Sequence, residues 1–104
     1  MAEISEEVRD GLCVVRVAGD LDLAVMEAFV EAVRASLSRC EACELDLGAV
    51  SFIDSSGLGA LVRLRKESDA QGTPLRLTNV TEATARLLQL MGLTEVLDIR
   101  TGQD

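Results

Sequence analysis

Two short stretches carry most of the side chains able to react or recognise: Asp54-Ser55-Ser56-Gly57 and Gly19-Asp20-Leu21-Asp22. A serine beside a carboxylate becomes a nucleophile only when a base takes its proton. The sequence contains no histidine, which removes Ser–His pairs, His-ligated metals and imidazole relays together. The single lysine, Lys66, would lie about 16 Å along a helix from Ser55, too far for a Ser–Lys dyad. The G-x-S-x-G elbow is missing, since Ile53 and Asp54 stand where its first glycine would fall. No glycine-rich G-x-x-x-x-G-K-[ST] phosphate cradle occurs either. The expectation is a chain with no catalytic residue.

The carboxylates and thiols give the same answer. Asp20-Leu21-Asp22 loosely resembles the phosphoryl-accepting motif of haloacid dehalogenases, but Ala24 stands where that motif carries Thr or Val. The chain is also too short for that family's lysine-bearing loop and cap. Cys13, Cys40 and Cys43 form an odd set, read here as free, incidental thiols without a disulfide framework. Cys40-Glu41-Ala42-Cys43 follows a helical pattern rather than opening one, so no helix N-terminus is available to activate a thiolate. Structural zinc needs four ligands, and neither a fourth cysteine nor a histidine exists. No resident metal or cofactor is expected.

Recognition remains. Asp54 and a serine make a good helix start, but two serines followed by Gly57 and Gly59 exceed what capping needs. Each glycine costs up to about 1 kcal/mol relative to alanine inside a helix. A first turn of such small residues reads as a surface against which something packs.

The elements that must position these stretches can be read from periodicity. Ile4 to Val8 and Leu12 to Ala18 are β-like runs separated by Asp10-Gly11, a dipeptide favouring a two-residue hairpin. Met26, Phe29, Val30, Val33 and Leu37 then recur at helical spacing, with Asp22 as the expected N-cap. Glu44 to Ile53 reads as a strand, and Asp54 opens a helix with Leu58, Leu61, Val62 and Leu64 on its apolar side. Gly72-Thr73-Pro74 ends that helix, and Leu75 to Thr78 forms another strand. Thr81 caps a third helix bearing Leu87, Leu88 and Met91, closed by a left-handed Gly92. Val96 to Ile99 is the expected last strand. Alternating strands and helices imply right-handed crossovers, hence an α/β fold with a mostly parallel central sheet, an antiparallel N-terminal hairpin and helices packed on it. Both reactive stretches then emerge at the carboxyl ends of strands, where ligands and partners of such sheets bind.

Composition bounds the partners. The 104 residues make one domain, 1–104, with 48% hydrophobic and 27% charged residues. A net charge of −8 and one lysine argue against nucleic acid and against an anionic membrane surface. No apolar run approaches the ~18 residues of a spanning helix and no leader opens the chain, so a cytoplasmic protein is expected.

Val50-Ser51-Phe52-Ile53-Asp54-Ser55-Ser56-Gly57-Leu58-Gly59 resembles the signature of STAS domains in bacterial anti-sigma factor antagonists. Gly19-Asp20-Leu21-Asp22 is similar to the family's Gly-Glu-Leu-Asp loop, with Asp for Glu, and Leu45-Asp46-Leu47 to the strand before its signature. The similarity runs from the first hairpin to about Ile99. Two departures stand out: the chain stops where many members continue into a final helix, and its first helix ends in the C-x-x-C. The resemblance implies a STAS-like domain acting as a switch. Such proteins bind an anti-sigma factor and release its sigma factor. Many of those anti-sigma factors are serine kinases of the histidine-kinase-like class, which would phosphorylate Ser55; a PP2C-type phosphatase would reverse it. Asp20, Asp22, Asp54, Ser56, Gly57 and Gly59 are the implied partner contacts. The family also implies an alternative role as a scaffold or interaction subunit in stress-signalling or lipid-transport complexes.

Overall fold

A computed structural model of the protein describes residues 2–101. Strands β1 (Glu3–Arg9) and β2 (Leu12–Leu21) form the expected hairpin. Asp10 and Gly11 both take positive φ, 49° and 85°, which is the paired left-handed geometry a two-residue turn requires. Next come α1 (Met26–Arg39), β3 (Ala42–Ile53), α2 (Ser55–Gln71), β4 (Leu75–Val80), α3 (Glu82–Leu90) and β5 (Ile99–Thr101). The last strand therefore starts where the expected Val96–Ile99 strand was to end. Val96 and Leu97 instead donate their N–H groups to the Leu93 carbonyl in a turn.

The five strands lie in sequence order, with β1 antiparallel to β2 and all later pairs parallel. Sequential order with right-handed crossovers places all three helices on one face. Alternation along the strands follows from this. Val15 and Val17 of β2, Leu45 and Leu47 of β3, and Leu75 and Leu77 of β4 are buried against Phe29, Val33, Leu61, Leu64 and Leu88 from the helices.

The other face carries Arg16, Glu44, Arg76 and Thr78. Two ion pairs form there, Arg16 with Asp46 at 3.0 Å and Arg76 with Asp98 at 3.3 Å. Asp46 is buried, which pushes its carboxyl up, but the Gly48 N–H and the Arg16 guanidinium outweigh burial and hold it below the usual range. On the helix side, Arg34 of α1 grips Glu67 of α2 with two bonds of 2.8 and 2.6 Å, and Glu6 reaches Ser36 and Arg39.

The cysteines depart from the sequence reading. Cys13 at the start of β2 is disulfide-bonded to Cys40 just after α1, with Cα atoms 5.9 Å apart. The expectation of three free, incidental thiols therefore fails for Cys13 and Cys40 and holds for Cys43 alone. The parallel register sets Cys43 beside Cys13 rather than facing Cys40. Cys43 stays a buried free thiol whose pKa burial pushes up to about 12, so it is protonated and unreactive near neutral pH.

Candidate functional site

The register of β2 on β3 builds the site. Leu21 pairs with Ile53, so the residues that follow them, Asp22 and Asp54, leave the sheet side by side at its carboxyl edge. Both carboxylates turn back onto backbone. Asp22 Oδ1 accepts from the Ala24 N–H at 3.2 Å, and Asp54 Oδ2 accepts from the neighbouring Leu23 N–H at 3.3 Å. Two consecutive amides of one turn are thus held by acids from two different strands. That turn is a single 3-10 turn, Leu23–Val25, inserted before α1. Asp22 therefore caps this turn, and α1 begins four residues beyond it, at Met26, with no side-chain cap of its own.

Asp54 does more than cap α2. Its Oδ1 accepts the Gly57 N–H at 3.0 Å and the Ser56 hydroxyl at 2.5 Å. These bonds, the Ser56 hydroxyl foremost, hold its carboxyl below the usual range, so it is charged near neutral pH. Helix propensity is poor here, with Ser-Ser-Gly-Leu-Gly as the opening residues, and the cap offsets it.

The two serines part company. Ser56 is half-buried and bonded to Asp54, whereas Ser55 is exposed at the first position of α2. Asp20 is half-buried near the end of β2, opposite Phe52.

The two glycines also differ, against the expectation that both open a docking surface. Gly57 is buried and faces inward. A Cβ there would stand 2.6 Å from the Leu21 carbonyl and 2.9 Å from Ile53 Cγ2. It lets α2 approach the end of β2 and lies beneath the rim rather than on its surface. Gly59 is exposed, with nothing within 4 Å of where a Cβ would sit.

Sequence reasoning missed two apolar neighbours of this edge. Leu23 is 74% exposed and Phe52 57% exposed. The signal for Phe52 was present, because Phe52 and Ile53 are adjacent in a strand and must face opposite sides. Leu23 gave none, as an apolar residue after a cap normally packs inward. The arrangement has an exposed hydroxyl, acidic side chains and apolar side chains at one rim. Among the described residues no three of the Cys, Asp and Glu side chains converge as a metal-binding group. The site is suited to recognition.

Comparison with known proteins places this rim in context. A family model described as "STAS domain" matches residues 3–103. The anti-sigma-B factor antagonist of Bacillus subtilis is 32% identical over 85 residues, covering 82% of this chain and 78% of the relative. The anti-sigma F factor antagonist of Paenibacillus polymyxa is 29% identical over 99 residues, covering 93% and 85%. Among solved structures, an anti-sigma factor antagonist from Mycobacterium paratuberculosis superimposes with a TM-score of 0.85 at 28% identity, covering 96% of this chain and 86% of that one.

Proposed function

The chain belongs to the STAS-domain family of anti-sigma factor antagonists, and from that premise we propose that it is a binding switch operated by phosphorylation of Ser55. Unphosphorylated, it binds an anti-sigma factor of the histidine-kinase-like serine kinase class and so frees the sigma factor held there. Phosphate on Ser55 ends that binding, and a PP2C-type phosphatase restores it. ATP and metal belong to those partners, and this chain performs no catalysis of its own.

The observation that carries the reading is the division between adjacent serines. Ser55 is exposed at the helix start, while Ser56 is occupied by Asp54. A kinase meets one free hydroxyl. Phosphorylation adds roughly −1.5 to −2 charges there. The α2 N-terminus favours that charge, while ionised Asp54 opposes it, so the fold tolerates the modification. A partner seated on the rim does not, since removing a dianion from water costs several kcal/mol and each 1.4 kcal/mol is tenfold in affinity. Asp20, Asp22 and Gly59, together with the exposed Leu23 and Phe52, form the contact surface; Asp54, Ser56 and Gly57 shape it from beneath.

Intact-mass and phosphosite analysis tests this after incubation with ATP and each anti-sigma kinase encoded in the same genome. One phosphate on Ser55 supports the reading. Phosphate on Ser56 instead, or none with every such kinase, counts against it.

A further inference from the structure

The exposed edge of α2 does not end at the serine. Going along the helix, Gly59 lies about 6 Å beyond Ser55 and Lys66 about 16 Å beyond it. Beside this edge runs an open groove of about 480 Å³ between α2 and the end of α3. Leu58, Gly59 and Val62 form one wall, and Met91 and Leu93 the other. Met91 is 57% exposed although it sits at an apolar position of the α3 pattern, and Gly92 and Leu93 fix it there by closing the helix on Gln89 and Leu88.

The charges at this groove run against those of the molecule. The chain carries 18 acidic and 10 basic residues, yet the charged residues lining the groove are Arg63 and Lys66. The carboxylate nearest to Arg63 along the helix, Glu67, takes two bonds from Arg34 and also feels the Arg63 charge, so it is shared between two guanidinium groups. At the other end of the same edge stand Asp22 and Asp54. The surface is therefore bipolar, acidic at the sheet rim and basic at the groove, with an apolar floor between.

We propose that this groove receives an acidic amphipathic segment of the partner protein, apolar side chains entering between Val62 and Met91 and carboxylates meeting Arg63 and Lys66. The identity of the partner rests on the antagonist reading; the chemistry of the segment does not. An interface of ordinary size engages roughly 20–30 residues a side, far more than the serine loop provides, and its core is enriched in aromatic residues, Met and Arg. A helix laid in the groove supplies both the area and the anchors. Two basic residues are too few for an anionic bilayer, which calls for about four to eight.

Nuclear magnetic resonance titration of the full chain with two synthetic 15-residue helical peptides tests this. Both carry leucines at i, i+3 and i+7; one is flanked by glutamates, the other has lysines in their place. Net charge alone favours the lysine peptide on a protein of −8. The proposal predicts the reverse: the glutamate peptide binds about tenfold tighter or better and shifts the amides of Gly59, Val62, Lys66 and Met91. The paired variant Arg63→Glu/Lys66→Glu abolishes that preference, and Met91→Asp weakens the glutamate peptide while the fold stays intact by circular dichroism. Tighter binding of the lysine peptide, shifts away from the groove, or no binding of the glutamate peptide overturns it. So does movement of the same amides with protein concentration alone, which marks a second copy as the occupant. Failure to phosphorylate Ser55 would remove the antagonist reading and leave this peptide preference as a separate result.

Discussion

Ser56 Oγ donates to Asp54 Oδ1 at 2.5 Å, and that bond gives two adjacent serines different roles. One hydroxyl is spent on holding the carboxylate that organises the helix start. The other stands free in solvent. Asp54 simultaneously reaches the Leu23 and Gly57 amides, so a single side chain joins the turn after β2 to the first turn of α2.

Removing that side chain should show a pH-dependent cost. Asp54 is held below its unfolded value of about 3.9. A lowered carboxyl contributes stability above the unfolded pKa and loses it as pH falls through the folded one. Asp54→Ala should melt below the wild type at pH 7, and the gap between them should narrow as pH drops below about 4. Asp46 and Glu67 are also lowered, so both proteins weaken in acid, and the difference between the two melting curves isolates Asp54. A gap independent of pH would contradict the assigned bonds.

The glycines of the same turn should respond oppositely to alanine. Gly59→Ala meets open space and gains helix propensity, raising stability by up to about 1 kcal/mol. Gly57→Ala drives a methyl group into the Leu21 carbonyl and Ile53, and should cost about 1–3 kcal/mol despite the same propensity gain. Urea unfolding of the two variants measures both. Equal shifts would mean that α2 does not approach β2 as closely as described.

Much of this was legible beforehand because local rules and tertiary demands coincide. Asp10-Gly11 needs positive φ at both positions and obtained it, and Asp54 caps α2 as its residue type suggests. What could not be read depends on register. Nothing local distinguishes Gly57 from Gly59; only the Leu21–Ile53 pairing decides which one meets a carbonyl. The same applies to the thiols: their odd count and missing zinc ligands point to free, incidental side chains, and only the packing of α1 over the β2 start joins Cys40 to Cys13. Met91 repeats the lesson in reverse. Its spacing sets it on the third helix with Leu87 and Leu88, but α3 ends at Leu90, and the side chain lies exposed at the groove.

The Cys13–Cys40 bond carries its own expectation. Closing a loop across 27 positions is worth about 2–4 kcal/mol, mainly by restricting the unfolded chain. The oxidised protein should melt on the order of 10 °C or more above the reduced one. Cys40→Ser should match the reduced protein and ignore reductant, and Cys43→Ser should keep the response. A wild-type melting temperature indifferent to reductant would contradict the pairing.

Under the proposed function, charge at Ser55 switches binding and leaves folding alone. A pair of binding isotherms for Ser55→Ala and Ser55→Asp against the proposed anti-sigma kinase partner, with melting curves for both, tests this. Because Asp54 supplies the cap, each variant should stay within about 0.5 kcal/mol of the wild type in stability. Ser55→Ala should bind like the unphosphorylated protein and Ser55→Asp at least about tenfold more weakly, a loss of about 1.4 kcal/mol or more. Equal affinities in two folded variants would contradict the switch.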